Sequence, residues 1–257
     1  MSIKKELDLS KKYLISKTYT SEGLEIVDLT LDNVARIEAM IQNDSDYKKT
    51  ANPESKPEKY PRKKTDEYKY GGSTAYWITQ LKDILIYDKP VSRDVFSFEV
   101  IIENAVKTID RENSTHLNAD NNGRNEISLR IINNKENLFD WICYPSKNDY
   151  AIIKEISKKT KGEKGRVNLS FASKFAHYTS FYLFEGTEFQ DNFSIYDGVL
   201  TRALPRYLDA YEIIGYNLND YVSYQKAIDL LRKKAAERYG EIISRNGLDH
   251  LLWYYHK

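Results

Sequence analysis

Residues 171–197 read FASKFAHYTSFYLFEGTEFQDNFSIYD, and within them one lysine and one aspartate stand in apolar company. Lys174 lies among Phe171, Ala172, Phe175, Ala176 and Phe181, while Asp197 follows Ile195 and Tyr196 with Val199 just beyond. Lysine is almost never fully buried without a partner, so its place in an apolar run needs a cause. Three are open. The side chain can snorkel to water along its methylene stem. It can pair structurally with a carboxylate such as Asp197. Or it can be a nucleophile: an amine shielded from water loses proton affinity, by up to roughly 3–5 pK units if fully buried, and its neutral form attacks an electrophilic carbon. Asp197 has two readings that do not exclude each other. It is a preferred cap for a helix beginning at Gly198, where a carboxylate also suits the positive end of the helix dipole. Held rigidly there, it can stabilise developing positive charge or relay a proton.

Other chemistries have less footing. The histidines His116, His177, His250 and His256 are scattered with no HxxxH or HxH spacing, so no metal site is expected. The single cysteine, Cys143, can form neither an internal disulfide nor a cysteine-based zinc cluster, and it fits a reducing compartment. The chain contains no GxxxxGK[ST], GxGxxG or GxSxG, which leaves nucleotide hydrolysis, dinucleotide binding and serine-esterase chemistry without support, and no cofactor is expected. The first twenty residues carry charges throughout, unlike a secretory signal, and apolar runs fall far short of the ~20 residues of a membrane span. The expectation is a cytoplasmic protein without a membrane partner. A net charge of +1 exerts no global pull toward nucleic acid or acidic lipid, so any such argument must rest on local clusters.

The elements that must position Lys174 and Asp197 read as helices. With 41% hydrophobic and 30% charged residues, the chain is composed like a folded protein. Leu31, Val34, Ile37 and Ile41 recur at helical spacing after Thr30, a plausible cap. Pro53, Pro57, Pro61 and Gly71–Gly72 among alternating charges mark residues 47–72 as a mobile loop. Residues 73–87 are helix-like, Ser92 can cap a core helix over 93–110, and the polar run 111–125 reads as a loop. One or two helices fit 126–142, and a short amphipathic one fits 148–160. The helix carrying Lys174 spans about 168–184, which places Ser170, His177, Tyr178 and Phe181 on the lysine's face. Pro205 is expected to break the following segment; a long amphipathic helix then covers 218–243 and a last one ends the chain. Strand alternation is confined to a minor strand near 12–28. The expectation is an all-α, compact helical protein with an N-terminal segment (1–46), the loop (47–72) and a helical core (73–257) holding the site at 154–215.

A Gly-containing turn, a helix with Lys174, a connecting loop and an apolar stretch ending at Asp197 in Phe193-Ser194-Ile195-Tyr196-Asp197 follow one another in that order. This order resembles the catalytic half of the helix-hairpin-helix superfamily of DNA glycosylases, in particular its 8-oxoguanine glycosylase branches, including the archaeal-type one. The FASKF…IYD pattern also resembles uncharacterised bacterial proteins grouped with that fold. The resemblance covers roughly residues 150–215. The family's Leu-Pro-Gly-Val-Gly hairpin is replaced by TKGEKGRVNLS (160–170), and the proline that usually precedes the aspartate is missing. The resemblance implies that Lys174 is a Schiff-base nucleophile and that Asp197 supports glycosidic cleavage. DNA is the implied partner, and the implied activity is removal of a modified or damaged base, in repair or in defence against phage, with an abasic-site lyase step. Between Lys154 and Lys174, seven Lys and Arg face only Glu155 and Glu163. Lys158, Lys159, Lys161, Lys164 and Arg166 are candidate phosphate contacts there, an ordinary solvated surface being the alternative. A second cluster of Lys226, Arg232, Lys233, Lys234 and Arg238 reads as the wet side of the long helix. An extruded base can be sandwiched by aromatic rings, and His177, Tyr178, Phe181 and Tyr196 neighbour the pair. Most of the 21 tyrosines must instead serve packing. The alternative function is a non-catalytic helical module binding nucleic acid or protein, as in anti-phage defence.

Overall fold

A computed structural model describes residues 15–42, 59–62, 65–70, 73–87, 96–113, 115, 117, 122–160 and 167–257. Along the chain run strands β1 (Lys17–Tyr19) and β2 (Glu25–Val27), helix α1 (Leu31–Ile41), and strands β3 (Lys59–Arg62) and β4 (Thr65–Tyr70). Helices follow: α2 (Thr74–Thr79), α3 (Leu81–Leu85), α4 (Phe98–Asn113), α5 (Asn122–Ile132), α6 (Lys135–Cys143), α7 (Ala151–Ser157), α8 (Leu169–Leu183), α9 (Gly198–Ala210), α10 (Tyr221–Tyr239) and α11 (Arg245–His256). The described residues are therefore mainly α-helical. They divide into two compact units, Met1–Tyr47 with Ser194–Lys257, and Lys48–Phe193. This grouping differs from a core over 73–257: the N-terminal segment belongs with the C-terminal helices.

In the unit formed by the two chain ends, β1 and β2 pair as an antiparallel hairpin, with Thr18 opposite Ile26. Thr30 caps α1 by accepting from the Asn33 amide at 3.2 Å, as its position predicts. Asn33 is fully buried yet satisfied: it accepts from Ser16 N at 3.0 Å and donates to Ser16 O at 2.9 Å and Asp28 O at 2.7 Å. These bonds fix the hairpin on α1. Val34, Ile37 and Ile41 of α1 are buried in this unit together with Leu248, Leu251 and Leu252 of α11, and the two helices pack against each other. The Tyr207 hydroxyl of α9 accepts from Val27 N at 3.0 Å and lies 2.7 Å from His256 Nε2. Pro205 does not break α9, which runs through it. An interior proline costs about 3 kcal/mol or more. The buried residues Leu200, Ala203, Leu204, Tyr207 and Leu208 straddle it, and fully burying one large apolar side chain offsets about 1.5–3 kcal/mol. Arg232 and Lys234 of α10 are not simply a wet face. Arg232 donates to Ile243 O at 2.6 Å and Lys234 to Tyr211 O at 2.7 Å, closing off chain segments on either side of the helix.

In the second unit α8 is the central helix, packed by α2, α4, α6 and α7. Phe171, Ala172, Phe175 and Ala176 are buried on it, and the hydroxyls of Ser173 and Thr179 fold back onto backbone carbonyls at 3.0 and 2.6 Å. The helix-like pattern at 73–87 divides into two short helices, the first capped by Ser73. Near the end of α4, buried Asp110 reaches into the polar run that follows and accepts from Thr115 Oγ1 at 2.7 Å, Leu117 N at 2.9 Å, and Arg124 Nε and Nη2 at 2.7 and 2.6 Å. One carboxylate thus organises the connection to α5. Strands β3 and β4 form an antiparallel hairpin inside the segment 47–72 expected to be a loop. Tyr60, Tyr68 and Tyr70 with Thr65 are good strand formers, and Pro61 is tolerated because a two-stranded ribbon has only edges. The rest of that segment, with Ser92, lies outside the described residues.

Candidate functional site

The described helix carrying Lys174 agrees with the expected span to within a residue at each end. Lys174 is 7% exposed, buried as its flanking apolar residues suggest. Its Nζ is 3.4 Å from Ser170 Oγ one turn earlier, long for a hydrogen bond. Burial also removes Lys174 from the basic surface to which its sequence position assigns it.

The other expected neighbours are on the same helix in definite roles. His177 is buried, its Nδ1 lies 2.9 Å from Phe193 O, and its ring stacks on Phe181 at 5.8 Å. With a carbonyl opposite, Nδ1 carries the proton and donates. Tyr178, half-buried, donates to Asn113 Oδ1 of α4 at 2.7 Å. His177 and Tyr178 therefore have structural bonds, whereas half-buried Phe181 offers only its ring.

Asp197 and Tyr196 belong to the other unit. Asp197 is the N-cap of α9, with extended backbone (φ −130°, ψ 152°) and Oδ1 accepting from Val199 N at 2.7 Å. The capping reading of Asp197 is thus realised, and its carboxylate is fixed at the positive end of a helix. Tyr196 meets Tyr224 edge to face at 5.1 Å, and burial raises its phenol above the ordinary range.

Of the candidate phosphate contacts, Lys158 and Lys159 are exposed at the end of α7, while Lys161, Lys164 and Arg166 lie outside the described residues. Lys158 is ion-paired with Glu155, and Lys154 with Asp149, which tempers the local positive charge. The carbonyls of Lys158 and Lys159 accept from Arg130 Nη1 at 2.5 Å and Nη2 at 2.8 Å. Arg130 has no signal in the sequence, because its targets lie 28 and 29 residues on. Also without a local signal are Tyr221, Tyr224 and Gln225, whose side chains bond the backbone just before Asp197.

Cys143 is buried, and burial pushes its thiol up to about 12, so it is a protonated packing group rather than a nucleophile. Among the described residues no three His, Cys, Asp or Glu side chains are grouped to hold a metal ion. No helix among them is long and apolar enough to cross a membrane. Compared with protein-family models, curated proteins and solved structures, the chain finds no match.

Proposed function

We propose that the chain is a DNA glycosylase that removes a modified or damaged base through Lys174 and Asp197 and carries an abasic-site lyase step. The observation that supports this most is Lys174 itself, a buried lysine in a helix of aromatic and small residues, placed where an amine nucleophile would act. Asp197 supports it through rigid placement at a helix N-terminus, suited to stabilising positive charge on a sugar as the glycosidic bond lengthens. Exposed Lys158 and Lys159 supply part of a phosphate-binding surface.

In this reading the target nucleotide is extruded from the duplex. The Lys174 amine forms a bond to C1′ as the bond from C1′ to the base breaks; the base leaves with that electron pair and gains a proton, and the attacking nitrogen loses one. Opening of the sugar ring gives an imine, and loss of a C2′ proton from it expels the 3′ phosphate. Borohydride reduction in the presence of abasic duplex tests the covalent step: an adduct is expected with the native chain and none with Lys174→Gln whose circular dichroism is unchanged. An adduct that survives the substitution removes Lys174 from the role. DNA binding with neither adduct nor base release, across duplexes carrying 8-oxoguanine, uracil, alkylated adenine and phage-type modified cytosines, favours a non-catalytic binding module.

A further inference from the structure

The residues between Phe193 and Asp197 belong to no helix or strand, so their backbone groups need other partners. Three of those groups are met by side chains of one helix. Ser194 N donates to Gln225 Oε1 at 2.9 Å, Ser194 O accepts from the Tyr221 hydroxyl at 2.7 Å, and Ile195 O accepts from the Tyr224 hydroxyl at 2.7 Å. Tyr221, Tyr224 and Gln225 stand three and four residues apart on α10 and so form one stripe on its surface. All three are buried, Tyr224 and Gln225 completely. Tyr224 also takes the ring of Tyr196 edge to face, so each residue from Ser194 to Tyr196 is tied to α10 immediately before Asp197.

The arrangement is costly for mere packing. Gln225 must turn its Oε1 toward the Ser194 amide, and this leaves its Nε2 buried without a hydrogen-bond partner. An unmet buried donor keeps its desolvation cost uncompensated, a loss that an apolar side chain of the same shape would avoid. What the polar stripe supplies is geometry: two phenols, each with only two side-chain torsions, and a fixed amide set the position of the backbone entering the cap. The Tyr224 phenol is held well above its ordinary range, first by burial and then by the carboxylates of Asp249 and Asp197 among its neighbours, so it stays a donor.

We propose that Tyr221, Tyr224 and Gln225 are positioning residues for Asp197, holding the Ser194–Tyr196 segment so that the carboxylate keeps one orientation at the start of α9. The strap stands on the structure of one unit alone; its consequence for base release rests on the glycosylase reading. Tyr224→Phe removes one bond while keeping the ring, and Tyr221→Phe repeats the test at the neighbouring carbonyl.

Two measurements on the full chain separate the strap from that reading. The first is amide hydrogen exchange at Val199, whose N–H is bonded to the Asp197 carboxylate, against Leu251 and Leu252 in α11 as a control. Faster exchange at Val199, by about tenfold, with the α11 amides unchanged is expected for a positioning role. Exchange at Val199 as slow as in the native chain overturns it, and so does a parallel rise at all three amides, which marks general destabilisation. The second is single-turnover base release from whichever of the four duplex types the native chain acts on. A loss of about 10–100-fold with DNA affinity unchanged is expected, the scale on which small misplacements of reacting groups act. Unchanged release by a variant with faster Val199 exchange overturns the link to reaction. A native chain that releases no base sinks the glycosylase reading, and the strap is then decided by exchange alone.

Discussion

Replacing Asp197 by Asn and by Ala separates the two jobs assigned to its carboxylate. The structure gives Asp197 one capping bond, from Val199 N to Oδ1 at 2.7 Å, on an extended backbone that Asn adopts equally well. Asn caps a helix about as well as Asp, whereas Ala cannot accept the bond and forfeits about 1 kcal/mol, within a range of 0.5–2. Both substitutions remove the same negative charge, so whatever that charge contributes to stability is lost equally and drops out of the comparison. Asp197→Ala is therefore expected to be about 1 kcal/mol less stable than Asp197→Asn, measured as a lower urea midpoint with the same slope. Base release should behave differently. If the charge stabilises a developing cation, both variants lose activity to a similar extent, on the order of 10²–10³-fold, the scale of losing one preorganised electrostatic group. Asp197→Asn that keeps native base release would reduce Asp197 to a cap. Equal stability of the Asn and Ala variants would refute the capping geometry.

Gly247→Ala sets two effects against each other: alanine gains about 1 kcal/mol in helix propensity, but its Cβ would lie 2.9 Å from Val34 Cγ1 and 3.0 Å from Ser244 Oγ. Overpacking of about 1–3 kcal/mol against a stiff β-branched neighbour wins, so the variant should be less stable, and adding Val34→Ala should cost less than its effect in the native chain; a stabilised Gly247→Ala contradicts this. Asp110→Ala strands the Thr115 hydroxyl and the Leu117 amide, while Arg124, 29% exposed, can turn to water, and a loss of about 1–3 kcal/mol in urea unfolding is expected; Asp110→Asn, which keeps an acceptor, should cost less. The Cys143 thiol, raised to about 12 by burial, must stay protonated in the fold. An unfolded thiol ionises near its ordinary value of about 8.5, so the folded state binds more protons above that point and stability falls with rising pH. Cys143→Ala should flatten the fall between about pH 8.5 and 10, and native Cys143 should react with iodoacetamide only on unfolding.

The helices were legible wherever the apolar period was long and its ends were marked by local chemistry. Thr30 and Asp197 cap where their neighbours in sequence predict, and Lys174 is buried as its flanking residues require. Each outcome depends on residues within about one turn, and that is the reach of sequence reading. Pro205 shows its limit: local preference opposes the helix, and burial of residues on both sides of it prevails. Tertiary structure alone decided that the N-terminal hairpin and α1 join the last three helices, since the bond from Val27 to Tyr207 spans 180 residues. It also decided that a tyrosine–glutamine stripe on α10 grips the approach to Asp197, and that Arg130 closes the end of α7. Those partners meet through burial of whole helix faces, a property summed over many distant residues that no short stretch of the chain encodes.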